Sequence, residues 1–515
     1  MVLIRGPALL NFSTRPCTLI FVLLAAMGLV VLFILLPLSY FVLSRFSKSS
    51  GIPFKHIATA WSLKLLFASA YSYVFLYYYG KGEPDLDLFN FFNDSRELYQ
   101  YGLNDPAGYL KLLFGFGADD ELLLSTHLSN TYIWEYPYSG ELLNDCRVLI
   151  RINSVIHFFS FNDIRVHIFV MTLISMTGLL LIVAAFKKFN SNPKLTLYFL
   201  AAFPSIAFWS SGVTKEALMC LGVGLFFFAL FRLMDKKTVG TVLLLLLAIF
   251  LMIYNKPHVG FVVMMCSLAI PIGRMLKWKM GYAIVLPLCI LMAGIGLSYA
   301  PEKINLISKT TLKQKDLINM STGGVYFIND TAFCAFDYGQ IDHFLQHDKF
   351  HIQVLQPVTG TYKLFGKDEF KPIEIQPDSV IYDLYLVQVP ANSYVEVMPI
   401  NYSGMQLVMN IPEALINVFI RPFPSDPGST LKYFASSTNI LFLIVLLLTI
   451  FYRQKCTNEQ WYIIVSLFCA AIVIALMIGW TTPILGAVFR YKCAVDMLLV
   501  LAAAIIIKPI QFRKK

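Results

Sequence analysis

Charge is what this chain has least of. Only 14% of its 515 residues are Asp, Glu, Lys or Arg, against about a quarter in a soluble domain. With 57% hydrophobic residues and a mean hydropathy of +0.66, that scarcity excludes an ordinary water-soluble fold. No CxxC and no Cys/His spacing of a metal site occurs. There is no nucleotide-sugar motif, no solenoid-type repeat and no low-complexity tract. The N-terminal apolar run is too long for the h-region of a signal peptide and lacks a small-residue cleavage site, so it reads as an anchor. The nine cysteines lie mostly in apolar runs as packing residues; Cys146 and Cys334, one in each long connection, are the two placed to pair.

What the chain has in abundance is apolar runs. Eleven are long enough to read as spans, at about 17–44, 57–79, 166–186, 194–210, 215–233, 239–254, 258–273, 281–299, 437–452, 461–480 and 485–507. The pair 194–210 and 215–233 reads equally as broken or re-entrant. The net charge of +10 does not point to nucleic acid, because the basic residues sit in short alternate connections: "RFSKSSGIPFK", "KKFNSNPK", "RLMDKK", "RMLKWK", "RQK" and "KPIQFRKK". The positive-inside rule makes these cytoplasmic, together with the C-terminus. Arg5 and Arg15 then fall outside, a mild violation. The expected fold is an all-α polytopic membrane protein of about eleven transmembrane helices, with amphipathic surface helices and a small β-rich extracytoplasmic module. Its parts are N-terminal spans (1–79), a first outer loop (80–165), a middle set of spans (166–299), a second outer segment (300–436) and C-terminal spans with a basic tail (437–515).

Both outer segments carry structure of their own. Leu88, Phe91, Phe92, Leu98 and Tyr99 recur at helical spacing, with Asp87, Asn90, Asp94 and Glu97 on the other side. That pattern predicts a helix lying on the membrane surface with its acids toward water or a cavity. A second such helix is expected over 142–160 and a third over 409–424. Between about 349 and 400, apolar and polar residues alternate between Pro, Gly and Asn turns, which predicts the β module.

Three stretches can carry chemistry. "YYYGKGEPDLDLFNFFND" brings Asp85, Asp87 and Asp94 to the outer boundary. A carboxylate there can take the proton of an acceptor hydroxyl while a lipid tail stays in the bilayer. Asp87, at the helix start, is the best placed of the three; the plainer alternative makes it only an N-cap. "FPSIAFWSSGVTKEAL" puts Lys215 and Glu216 in the first turn of a helix capped by Thr214. A lysine there opposes the helix dipole unless it meets an anion such as phosphate; the plainer alternative is a Lys215–Glu216 pair or a solvated lysine. "TTPILGAVFRYK" holds Arg490 and Lys492 at the outer end of the last span, and Arg421, Lys256 and His258 fall on the same face. Each alone fits a snorkelling side chain; together they suit a phosphate or pyrophosphate headgroup. Lys64 reads as the one clear intramembrane charge, a structural residue that snorkels to the cytoplasmic end.

These stretches, with "FIRPFP", resemble the GT-C superfamily of polytopic glycosyltransferases that use polyprenyl-phosphate sugars. The wording is similar to a group of bacterial inner-membrane proteins, often from Bacteroidetes, related to surface-polysaccharide synthesis. It covers roughly 57–330 and 405–507. The resemblance implies that the acid of the first outer loop, here Asp87 and then Asp85, is the catalytic base or positions the acceptor. Two departures stand: the acid loop follows the second span rather than the first, and the β module lies outside the shared pattern.

The expectation is therefore a glycosyltransferase of a bacterial inner membrane, working at the extracytoplasmic face. Arg490, Lys215 and Arg421 would hold the donor phosphate, with Glu216, Lys492, Lys256 and His258 grouped beside them. The acceptor would be a glycan, lipid or protein. Asp85 and Asp87 are the pair that would hold Mg²⁺ or Mn²⁺ if the reaction uses a metal. The nearest rival is an O-antigen-type polysaccharide polymerase, which needs outer arginines but no aspartate base. A transporter or lipid flippase would favour charges near the bilayer midplane and paired discontinuous helices. A non-catalytic scaffold would leave the clustered charges dispensable.

Overall fold

The computed structural model describes residues 15–79, 87–134, 144–190, 192–277, 282–301, 304–330, 332–348, 351–364 and 370–508. Helices dominate. The N-terminal part holds α1 (Arg15–Ser44), α2 (Phe46–Ser50) and α3 (Phe54–Tyr73), the last ending in a π-helical turn, Val74–Tyr79. The first long connection holds α4 (Asp87–Asn104), α5 (Pro106–Leu113), α6 (Glu121–Thr126) and α7 (Arg147–Ser160). The middle of the bundle is α8 (Ile164–Phe186), α9 (Pro193–Ala202), α10 (Pro204–Trp209), α11 (Lys215–Asp235), α12 (Val239–Asn255), α13 (Pro257–Leu276) and α14 (Tyr282–Ser298). After α15 (Leu306–Thr322) and the sheet come α16 (Gly404–Met409), α17 (Ile411–Phe419), α18 (Lys432–Phe451), α19 (Asn458–Thr481) and α20 (Leu485–Ile506).

Six stretches among the described residues are long and apolar enough to cross a membrane: Ala26–Ser50, Ile164–Phe186, Lys215–Asp235, Pro257–Met275, Lys432–Phe451 and Asn458–Thr481. This is an integral membrane protein, but the expected eleven spans are not what the structure gives. The remaining runs fail for identifiable reasons. α12 and α14 have 17 residues each, short for a bilayer core of about 30 Å. The run 194–210 is broken between α9 and α10, where Phe203 is extended and Pro204 restarts the helix. α3 carries Lys55 and Lys64, and α20 carries Arg490, Lys492 and Asp496. These helices nevertheless pack in one core with the six.

α11 is the centre of that core, against α8 on one side and α12 on the other. Its contact with α8 is backbone-close. A Cβ on Gly178 would lie 2.3 Å from the Cys220 carbonyl oxygen, and one on Gly224 would lie 2.3 Å from that of Gly178. Small residues are what let membrane helices approach like this.

α4 and α7 form where the periodicity predicts, but α4 does not lie on a surface. Leu88, Phe91, Phe92 and Leu98 are buried, and so are Asn90 and Asp94 on the other side. α4 packs on α7, with the Phe92 ring 4.8 Å from those of both His157 and His167. The expected surface helix over 409–424 is the shorter α17, which packs against α19.

The β module is a seven-stranded antiparallel sheet with its own core. In chain order its strands are β1 (Gly324–Asn329), β2 (Ala332–Asp337), β3 (Phe344–Gln346), β4 (His351–Val354), β5 (Val358–Leu364), β6 (Lys371–Ile375) and β7 (Ile381–Gln388), and in space they run β3-β4-β7-β1-β2-β5-β6. The expected limits, about 349–400, are corrected at both ends. β1, β2 and β3 precede them, and 390–400 leaves the sheet to pair with the start of α20: Tyr394 bridges Ile484, Val395 N–H donates to Pro483 O at 2.8 Å and Leu485 N–H to Ser393 O at 3.1 Å. Cys146 and Cys334 are both buried, Cys334 inside the sheet core, and no disulfide joins them, so the pairing open to them is not made.

Candidate functional site

The short basic connections gather at one end of the bundle, where Lys188 pairs with Asp235, and Arg274 lies 3.9 Å from Asp235 and 3.7 Å from Glu459. The two long connections gather at the other, called here the loop end. The site begins with the turn before α11. Ser210, Ser211 and Gly212 close it, and a side chain at Gly212 would meet the Tyr71 ring at 2.4 Å. Thr214 caps α11, its Oγ1 accepting from Ala217 N–H at 3.4 Å and donating to Trp209 O at 2.7 Å. This fixes Lys215 and Glu216 in the first helical turn.

Glu216 is completely buried. Its Oε1 accepts from Lys256 Nζ at 2.7 Å and from Arg490 Nε at 3.0 Å, while Oε2 has no hydrogen-bond partner among the described residues. The acid thus joins three helices, α11, α20 and the start of α13. Both cations also face rings: Arg490 lies 5.6 Å from Trp209 and Lys256 4.9 Å from Tyr491. Lys215 does not pair with its neighbour Glu216 but with Asp145 of the first long connection. His258 is half-buried, where the charges of Lys256, Asp145, Lys313 and Lys215 all act on it. Among the described residues, Lys215, Lys256 and Arg490 thus gather about Asp145 and Glu216.

Two of the expected basic residues are elsewhere. Lys492 sits two positions past Arg490, about 200° round the helix, and points toward α18. It is 2% exposed, bonds Asn439 Oδ1 at 2.5 Å and faces the rings of Phe419 and Phe442. Its membership of the Arg490 group is corrected on that geometry. Arg421 lies on the connection between α17 and α18, 3.7 Å from Asp426 and 5.6 Å from the Phe423 ring.

The acid cluster divides. Asp85 lies outside the described residues. Asp87 begins α4, and its side chain is likewise outside the description. Asp94 is fully buried and holds a loop: its carboxylate accepts from the N–H groups of Tyr132 (2.8 Å), Ile133 (2.7 Å) and Trp134 (3.1 Å). Burial pushes its pKa up to about 6, against the pull of those three donors. A carboxylate enclosed and saturated in this way is a loop staple, which the sequence reading of an acid open to water or a cavity did not include. Among the described residues no group of three His, Cys, Asp or Glu could hold a metal ion.

Several contributors escape the sequence pattern. Asp145 is a single acid in "LLNDCRV" with no periodic signal. Lys64 does not snorkel: it is fully buried, and its Nζ donates to Ser210 Oγ (2.6 Å), Ser211 Oγ (2.9 Å) and Ala207 O (3.3 Å). Nor is it the one deep charge, since Asp496 and Lys492 are buried in α20. The segment that follows the sheet also reaches the helix that carries Arg490, where 393–395 pairs with 483–485. Gln314 of α15 donates to Met398 O (3.0 Å) and Trp480 O (2.7 Å), closing this end. Compared with protein-family models, with curated proteins and with solved structures, the chain matches none.

Proposed function

We propose that this protein is a membrane glycosyltransferase that moves a sugar from a polyprenyl-phosphate donor to an acceptor hydroxyl at the loop end, on the extracytoplasmic side of a bacterial inner membrane. The observation that supports it is the group of Arg490, Lys256 and Lys215 held against Glu216 and Asp145, with α4 opening on Asp87 in the same connection as Asp145. A group of cations that includes a lysine at a helix start is suited to an anion. Arg490 supplies a planar donor set suited to phosphate oxygens, and Lys215 a point charge at a helix start. Glu216 orients both Arg490 and Lys256. Asp87 would take the proton of the acceptor hydroxyl as its oxygen attacks the anomeric carbon in line and the lipid phosphate leaves.

The test is binding of a polyprenyl phosphate to the full chain in lipid nanodiscs, followed by sugar transfer. Arg490→Ala should weaken binding at least about tenfold, the loss of one charge-assisted contact of 1.5–3 kcal/mol. Asp87→Asn should leave binding intact and cut transfer at least about a hundredfold. Retention of full activity in both variants would sink the mechanism. Transfer lost in Arg490→Ala alone would favour the polymerase.

A second reading has its own observation. The break between α9 and α10, with Asp496 buried beside it and Lys64 buried at the other end of α10, is the arrangement of discontinuous helices and deep charge found in transporters. Absence of both binding and transfer would move that reading ahead.

A further inference from the structure

A second polar cluster lies between α10, α18 and α20, away from Arg490, and the transferase chemistry makes no use of it. Its centre is Asp496, completely buried. Ser205 of α10 donates to its Oδ2 at 2.5 Å. Its Oδ1 has no hydrogen-bond partner among the described residues. The nearest cation, Lys492 Nζ, is 3.8 Å from that oxygen, beyond hydrogen-bond length.

A structural ion pair would look different. Here the ammonium of Lys492 is directed elsewhere, to Asn439 Oδ1 at 2.5 Å and to the ring faces of Phe419 and Phe442 at 5.4 and 5.8 Å. An amide oxygen and two aromatic faces stabilise a cation without a counter-ion. Lys492 therefore does not need the Asp496 charge, and Asp496 is left with one oxygen bare at a depth where an ionised group is costly. Adding a proton removes the charge and keeps the contact with Ser205, because at that separation either oxygen can carry the hydrogen. Polar groups continue from Lys492 toward the loop end. Asn439 Nδ2 donates to Ile420 O (3.1 Å) and Arg421 O (2.8 Å) on the connection between α17 and α18. The neighbouring Thr438 is fully buried, with its hydroxyl unpartnered among the described residues.

We propose that Asp496 is a proton-exchange site inside the helix bundle, reached from the loop end along Asn439 and Lys492. A proton from water adds to a carboxylate oxygen of Asp496, taking its charge from minus one to zero, and returns to water on release; no other bond changes. Among the described residues the groups facing it are Lys492 on its own helix and Ser205 on α10, with Asn439 on α18 behind Lys492. Lys64 on α3 binds the far end of α10, and Cys493 on α20 faces Cys220 on α11. The proposal stands apart from the transferase reading: either holds if the other fails.

The experiment treats the full chain in nanodiscs with dicyclohexylcarbodiimide, which modifies protonated carboxyl groups in apolar surroundings, over a pH series. Adducts are mapped by mass spectrometry. Asp496 should be labelled at the acid end, with labelling falling about tenfold for each pH unit above its midpoint. Lys492→Met should shift that midpoint by more than about one unit. Labelling of other carboxyl groups with none at Asp496, or labelling of Asp496 that ignores pH, would overturn the proposal. If Lys492→Met does not fold, infrared spectra of the wild type against Asp496→Asn decide. A protonated-acid carbonyl band that titrates and is lost in the variant supports the site, and identical spectra refute it.

Discussion

At the scale of single residues, the site depends on side chains that neutralise one another. Glu216 is the hub. Glu216→Ala would leave Lys256 and Arg490 facing each other without their shared acid, in a place where Lys256 is 6% exposed. Removing one partner of a buried pair costs about 3–5 kcal/mol, and thermal unfolding in detergent should show a large drop in Tm. Glu216→Gln keeps one acceptor oxygen and should lose less than half as much. Asp94→Asn makes a parallel case in the first connection, because an amide nitrogen must then face a backbone N–H. The expected cost is about 1–3 kcal/mol, read as faster proteolysis between α5 and α7. Cleavage at the wild-type rate would mean that Asp94 is not what holds Tyr132–Trp134. Sequence reasoning found Glu216, Lys256 and Arg490 because apolar flanks make a charge conspicuous. It left Asp94 on an open face because periodicity says which side of a helix a residue occupies, not what covers that side. Here the cover is the loop of Tyr132–Trp134, and no local pattern announces that loop.

At the scale of elements, the legible features were those written in neighbouring residues. The start of α11 follows from Thr214 and the small residues before it, and α4 from its spacing. β1 was hidden for a physical reason. "GVYFIN" is a central strand with Val325, Tyr326 and Phe327 all buried, so it lacks the alternation that marks a half-exposed strand. The run 194–210 reads as one apolar stretch until Pro204 breaks it. The α8–α11 contact offers a direct test of helix packing. Gly224→Ala places a methyl group 2.3 Å from a backbone oxygen, which cannot move aside as a side chain would. Overpacking of this kind costs about 1–3 kcal/mol and should appear as a lower Tm and a smaller monodisperse fraction. An unchanged Tm would mean that the two helices are not held this closely.

At the scale of the whole molecule, the division into a bundle with two structured connections was readable from charge and hydropathy. The number of spanning helices was not, because length, breaks and buried charges decide it together. Buried histidine makes stability depend on pH. His157, 3% exposed on α7, is pushed down to about 4, first by burial and then by Arg96, with the Phe92 carbonyl pulling the other way. Unfolded, it would take a proton near 6.5. The unfolded state therefore binds the extra proton between these values. His157 contributes its full stability above about 6.5 and loses it as pH falls toward 4, up to about 3 kcal/mol. Asp94 acts in the opposite sense over part of that window, so the measurement is the difference in pH-dependent Tm between wild type and His157→Phe. Equal slopes would mean that the imidazole is protonated within the fold.

The pairing of 393–395 with 483–485 has a mechanical consequence. The sheet is tethered to the bundle, and one of its moorings is the first turn of the helix that holds Arg490. A binder gripping the sheet from outside would pull on that turn, and so acquire leverage over the Arg490–Glu216 contact without touching it.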